Sequence, residues 1–168
     1  MTTPPVLLVE RTLVAPLDRV YAAWTEPAQL SRWWGPRGMS VAVLRFELRE
    51  GGHFHYAMRS PNGDEMFGRF RFIEVDPPTQ LVWANGFADA EGALVPAPFP
   101  GLEAFPLENL NTLTLEAAGP GQTRLRLRST PLSDDPAAHA AFAGLLPSME
   151  GGFGGTLTSL EEFLAHGT

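Results

Sequence analysis

Met149-Glu150-Gly151-Gly152-Phe153-Gly154-Gly155-Thr156-Leu157-Thr158-Ser159-Leu160-Glu161-Glu162-Phe163-Leu164 carries two conflicting signals. Met149, Phe153, Leu157, Leu160 and Leu164 recur at four, four, three and four residues, the stripe of an amphipathic helix. Against it stand Gly151, Gly152, Gly154 and Gly155, each costing about 1 kcal/mol relative to alanine inside a helix. Two readings follow. The helix starts late, with Thr158 and Glu161 as a capping box. Or it is continuous, with its glycine face packed tightly on a sheet or a ligand. The continuous helix is favoured, and it needs a sheet to cover.

That sheet is written upstream. From Met39 to Thr130 the chain runs in short alternating segments rich in Val, Leu and Phe. Gly51-Gly52, Pro61-Asn62-Gly63-Asp64, Pro77-Pro78 and Gly119-Pro120-Gly121 separate them, the pattern of an antiparallel meander. Residues 7 to 14 read as a first strand, and Pro16 sits where a first helical residue tolerates proline. Leu17, Val20, Tyr21 and Trp24 then share a helix face, and Leu30, Trp33 and Trp34 repeat the motif after Pro27 until Gly35 and Pro36 end it. Ser133 to Leu146 reads as a short alanine-rich helix. The fold class is therefore α+β: a curved antiparallel sheet wrapped around a long C-terminal helix, with two short helices after the first strand. One domain is expected over residues 1–168, its core spanning about 7–166. Ala88 to Leu107 does not fit the meander, with four prolines and two glycines in twenty residues; a stretch of that length without regular structure marks a candidate lid.

Composition removes whole classes of chemistry. The 168 residues contain no cysteine and no lysine, the basic side chains all being arginine. Disulfides, thiolate nucleophiles, cysteine-ligated metals, Schiff bases and the P-loop phosphate grip are excluded. A net charge of −7 argues against nucleic acid or an anionic membrane as partner. No run approaches the roughly 18 apolar residues of a spanning helix, and Met1 to Val14 lacks the pattern of an export signal, so a cytoplasmic location is expected.

The order of elements, with Arg32-Trp33-Trp34-Gly35-Pro36 closing the helical pair, resembles the START-like or SRPBCC superfamily. It is most similar to the bacterial homologues of the activator of the heat-shock chaperone ATPase. Val20-Tyr21-Ala22-Ala23-Trp24, Leu48-Arg49-Glu50-Gly51-Gly52-His53-Phe54, Gly68 to Leu81 with its Ile73-Glu74-Val75-Asp76-Pro77-Pro78-Thr79-Gln80-Leu81, and Met149, Gly151 and Phe153 carry the likeness from about Val9 to Leu164. The resemblance implies a helix-grip fold with a deep cavity between sheet and long helix, used across the superfamily for lipids, sterols, polyketides and plant hormones. Two departures would reshape the cavity mouth: Asn85 stands where the pattern often has an aromatic, and the 88–107 segment is long.

Alternation says which side chains face that cavity. Phe54, Tyr56 and Met58 form one inward row, and Leu81, Trp83 and Asn85 another. Asn109, Asn111, Leu113 and Leu115 form a third, beside Leu125 and Leu127. Phe70 on the neighbouring segment, Trp33 at the helical pair, and Met149 and Phe153 on the long helix complete the candidate ligand-binding set. Asn85, Asn109 and Asn111 would orient a ligand from the strand ends, or satisfy loop backbone there, which asparagine's turn preference favours. Trp33, Trp34 and Trp24 would form an entrance platform, or pack the core, which is favoured. His53 and His55 emerge together on the outer face without a third ligand, which reads as a solvated surface rather than a metal site. Arg124, Arg126 and Arg128, flanked by Arg69 and Arg71, form an outer row that blunts edge pairing or meets an acidic partner. Asp64 and Glu65 read as turn residues, and Glu47 with Arg49 as a surface pair.

No nucleophile–base pair or metal motif is legible, and no cofactor is expected. Three functions compete: binding of a small hydrophobic or aromatic molecule; a cyclase- or dehydratase-like reaction using Asn85, Asn109, Asn111, Tyr56 and His53; and contact with a chaperone, as the family resemblance implies. The first is favoured. The glycine-rich helix face and exposed sheet edges would suit a homodimer.

Overall fold

A computed structural model of the chain describes residues 3–166. Strand β1 (Leu7–Leu13) leads into α1 (Leu17–Thr25) and the single turn α2 (Pro27–Leu30). The meander follows as β2 (Ser40–Phe46), β3 (His53–Arg59), β4 (Glu65–Asp76), β5 (Gln80–Ala88), β6 (Asn109–Gly119) and β7 (Gln122–Pro131), with α3 (Pro136–Gly144) and α4 (Leu146–His166) after it. The seven strands pair antiparallel in the order β1-β7-β6-β5-β4-β3-β2, so β1 and β2 are the edges. This is the expected α+β helix-grip arrangement. Among the described residues no helix is long and apolar enough to cross a membrane.

The local signals act with small shifts. Pro16 is the N-cap of α1 rather than its first helical residue, with extended backbone. The second helix stops at Leu30, and Trp33 and Trp34 lie in the turn beyond it, held by Trp34 N–H donating to the Leu30 carbonyl at 3.0 Å. Asp135 caps α3 through its carboxylate, which accepts from Ala137 N–H at 3.0 Å. The arginine row needs correction. β7 is flanked by β1 and β6, so Arg124, Arg126 and Arg128 protect no edge, and β6 and β5 separate them from Arg69 and Arg71 on β4. Arg126 pairs instead with Glu10 at 3.3 Å and Arg124 with Glu116 at 3.9 Å.

α4 runs unbroken through its glycines. Thr158 does not cap a late start: its hydroxyl donates back to the Gly154 carbonyl at 2.9 Å, as Thr156 does to Gly152 at 3.1 Å. Glu161 instead pairs with Arg11 of β1 at 2.5 Å, and Arg11 also donates to the Gly154 carbonyl at 3.1 Å. Packing of the glycine face on the sheet, one of the two expected reasons for continuity, does not hold. A Cβ added at Gly151 or Gly152 would meet nothing within 4 Å, and at Gly154 and Gly155 only the side chains of Arg11 and Arg37 at 3.7 and 3.9 Å. Continuity comes from further along the stripe, where Leu157 and Leu160 are fully buried and Leu164 nearly so. Burial of three leucines contributes roughly 5–9 kcal/mol, which exceeds the roughly 4 kcal/mol that four glycines cost.

The core beneath those leucines is aromatic. Phe70 and Trp83 stack at 4.9 Å between centroids, and Trp24 meets Trp83 at 5.6 Å and Trp33 at 4.6 Å. Trp33 is also tied by its indole N–H to the Ala23 carbonyl at 3.0 Å.

Two substitutions separate glycines that are costly from glycines that are required. Gly151→Ala, on an exposed and unobstructed helix position, is expected to stabilise the fold by about 0.5–1 kcal/mol. Gly68→Ala would place a Cβ 2.5 Å from the Tyr56 hydroxyl oxygen, and overpacking of that kind costs about 1–3 kcal/mol. Urea unfolding of the two variants should show the midpoint rising for the first and falling for the second.

Candidate functional site

At one end of the sheet the inward rows of β3, β4 and β5 stop short of α4. The register sets Tyr56 opposite Gly68, Met58 opposite Met66, and Gly68 opposite Phe87. Because Gly68 has no side chain, the Tyr56 ring lies across it, stacked on Phe54 at 4.6 Å. Above these strands the stripe of α4 has turned from buried leucines to Met149, Gly152, Phe153 and Thr156. A cavity of about 370 Å³ occupies the gap, also walled by Trp34, Gly35 and Pro36. Gly152 faces it with open space where any other residue would project a side chain.

The 88–107 segment supplies part of the rim. Asp89 N–H donates to the Ala93 carbonyl at 2.9 Å, and the Asp89 carboxylate accepts from Ala93 and Glu91 N–H at 2.9 and 3.0 Å, which holds its pKa below the usual carboxylate range. This small hairpin folds over the outer face of the sheet. His55 bonds the Asp89 carbonyl at 2.9 Å, and Arg69 donates to the Gly92 carbonyl at 3.0 Å. Gly92, at φ +93°, lies against the His55 ring. The outer-face histidines are therefore not a solvated surface: His55 is buried beneath the hairpin. His53 beside it is half-buried, and burial, then the charges of Arg69 and Arg45, lower its pKa. Beyond the hairpin the segment crosses to the inner side. Phe99 meets Phe87 at 5.8 Å, and Phe105, stacked on Phe142 of α3 at 6.2 Å, joins Phe99 in the cavity wall. Glu108 then ties the strand start to Arg71 at 3.1 Å and Arg69 at 3.8 Å.

Of the residues singled out from the sequence, Tyr56, Met58, Asn85, Asn109, Met149 and Phe153 line the cavity. Trp33, Phe54, Phe70, Trp83 and Leu113 are buried in the core behind it, where they support the wall without forming it. Asn111, 1% exposed, also lies behind the wall. Its side-chain N–H donates to the Asn85 Oδ1 at 2.6 Å and to the Asn109 carbonyl at 3.2 Å. The asparagines thus bond to one another and to strand backbone, not to the loop. Met66, Gly68 and Phe87 escaped the sequence reading although they continue rows it had identified. Phe99 and Phe105 had no periodicity to reveal them.

The cavity is electrically quiet. Among the described residues no Asp, Glu, His or Arg lines it. Tyr56 in its wall has its pKa pushed up to about 12 by burial, a hydrogen bond with Trp34 offsetting part of the effect. Among the described residues no group of three or more His, Asp or Glu is placed to hold a metal ion.

A sheet gripping a C-terminal helix over an apolar cavity defines the START-like helix-grip class. The sequence profile of the family described as activator of Hsp90 ATPase homolog 1-like protein matches residues 14–165, and the chain belongs to that family. Solved structures agree. A protein from Arthrobacter aurescens is 28% identical with a TM-score of 0.78, the match covering 95% of this chain and 86% of that one. One from Mycobacterium smegmatis is 25% identical at 0.74, covering 97% and 92%. The AHSA1 protein of Silicibacter pomeroyi, 23% identical at 0.69 over 96% and 98%, shares the fold. No curated protein matches the sequence.

The Tyr56 environment makes a checkable statement about alkaline stability. Its folded pKa of about 12 lies above the 10.0 of a free tyrosine, so the neutral phenol stabilises the fold fully below pH 10. That contribution, about 2–3 kcal/mol from two pKa units, is lost as pH rises from 10 through 12. Tyr56→Phe should flatten this part of a stability profile measured by denaturant unfolding.

Proposed function

We propose that this protein binds a small, predominantly apolar molecule in the cavity between α4 and the sheet. The carrying observation is the opening at Gly152: a helix that must bury an apolar stripe gives up side chains where they would fill a space of about 370 Å³. That volume falls within the roughly 300–1,000 Å³ of ligand pockets, and apolar walls with a few polar groups suit them too. Each methylene buried there contributes about 0.8 kcal/mol. The family assignment and the fold agree with this reading. A cyclase- or dehydratase-like reaction is less well supported, because His53 lies on the opposite face of the sheet and no lining side chain titrates near neutral pH. Contact with a chaperone draws support from the family name alone.

The test is occupancy. Native mass spectrometry of freshly purified protein should reveal a non-covalent adduct, and a neutral naphthylamine dye should bind with enhanced fluorescence. Gly152→Phe, which fills the space without altering the core, should weaken dye binding at least about tenfold while leaving the circular dichroism spectrum unchanged. Undiminished binding in that variant would move the ligand site elsewhere.

A further inference from the structure

Tyr56, Asn85, Asn109 and Thr156 bring polar side chains to an otherwise apolar wall. What each leaves unpaired bears on the chemistry of the occupant, an inference that rests on the cavity being a binding site. The Trp34 indole can only donate, so in its hydrogen bond with Tyr56 the phenol oxygen is the acceptor. The Thr156 hydroxyl is held by the Gly152 and Gly35 carbonyls at 3.1 and 3.3 Å. Asn109 turns its Oδ1 into the packing, where it has no accessible surface, and so brings no acceptor to the wall.

Asn85 differs, and its orientation is fixed by a chain of donors and acceptors that begins at the backbone. The Asn109 carbonyl can only accept, so Asn111 must turn its NH₂ towards it, at 3.2 Å. That same NH₂ donates at 2.6 Å to Asn85, which must therefore present its oxygen to Asn111. The end of Asn85 left over is its NH₂. Asn85 is half-buried on the inward face, in register with Phe70 and Asn109 on the neighbouring strands. Among the described residues its NH₂ has no acceptor, and it is not among the unpaired atoms that packing encloses. The wall thus offers an open donor whose direction the backbone sets.

We infer that the cavity takes an uncharged ligand whose apolar body carries a carbonyl, of the ketone or ester kind, with the carbonyl oxygen accepting from the Asn85 N–H. A hydrocarbon would fill the space but shut the donor away from water without a partner. A carboxylate would accept the same hydrogen bond, but it would bury a negative charge in a wall that holds no cation.

The experiment is competition against a bound N-phenylnaphthylamine reporter by three compounds of one shape: 2-acetylnaphthalene, 2-isopropenylnaphthalene, in which CH₂ replaces the carbonyl oxygen, and 2-naphthoate. The quantity measured is the ratio of ketone to alkene affinity in the unaltered protein and in Asn85→Leu, a comparison that cancels the different hydration of the two compounds. Loss of the donor should lower that ratio at least about fivefold. Naphthoate should compete at least about tenfold more weakly than the ketone. If Asn85→Leu does not hold the reporter, Asn85→Ala carries the same comparison. An unchanged ratio would overturn the assignment of the carbonyl to Asn85, and naphthoate competing as well as the ketone would overturn the uncharged head group, while apolar binding stands in both cases. A reporter that never binds the unaltered protein would overturn the cavity reading, and this inference with it.

Discussion

Leu157 and Leu160 are fully buried against the sheet, whereas Gly152, little more than one helical turn earlier, faces open space. This division along a single helix governs the architecture. The leucine end fixes α4 over the aromatic layer of Trp24, Phe70 and Trp83, and Arg11 pins the same region through Glu161 and the Gly154 carbonyl. The glycine end is carried along by the helix's own hydrogen bonds. A continuous helix held firmly at one end can span a gap at the other, because each residue adds a backbone bond without needing a side-chain contact. The cavity is the consequence of placing helix-weakening residues where the helix has support from its neighbour turns.

The sheet has to be concave to leave that gap, and its open end has to be closed by something other than strand. The 88–107 segment does this by straddling the end of β5. On the outer face its polar hairpin is held by His55, Arg69 and the Asp89 carboxylate. On the inner face Phe99 and Phe105 supply apolar wall. Gly86 lies where the two limbs meet, close to Leu94 and Leu107, and a side chain there would collide with both. The rim is thereby tied to the sheet from behind, so polar contacts outside the cavity hold apolar groups at its mouth.

How much of this was legible depends on whether the signal is local. The rows Phe54/Tyr56/Met58 and Asn109/Asn111/Leu113/Leu115 follow from alternation, which survives any strand order. The α4 stripe is readable for the same reason, although its glycines do not pack on the sheet, Gly151 and Gly152 facing open space instead. Relations between strands were not readable. The placement of Arg69 and Arg71 beside Arg124 to Arg128 required knowing that β5 and β6 intervene. His55 appeared solvated because its cover comes from Gly92, a loop residue with no periodic partner. Facing inward also proved different from lining the cavity. Trp33, Phe54, Phe70, Trp83 and Leu113 face inward but are buried in the core behind the cavity, and alternation carries no information about where along a strand the cavity begins.

Electrostatics and packing meet at the asparagines of β5 and β6. The low-dielectric surroundings that push the Tyr56 pKa to about 12 also raise the cost of any unpaired dipole nearby. Leaving the Asn109 oxygen bare there costs about 1–3 kcal/mol, and a leucine at the same inward strand position would avoid it. Folding alone gives no return for that expense, because the neighbouring Asn111 already satisfies Asn85 and the strand carbonyl without it. That oxygen has no accessible surface, so it lies within the packing behind the cavity wall and its cost falls on the fold itself.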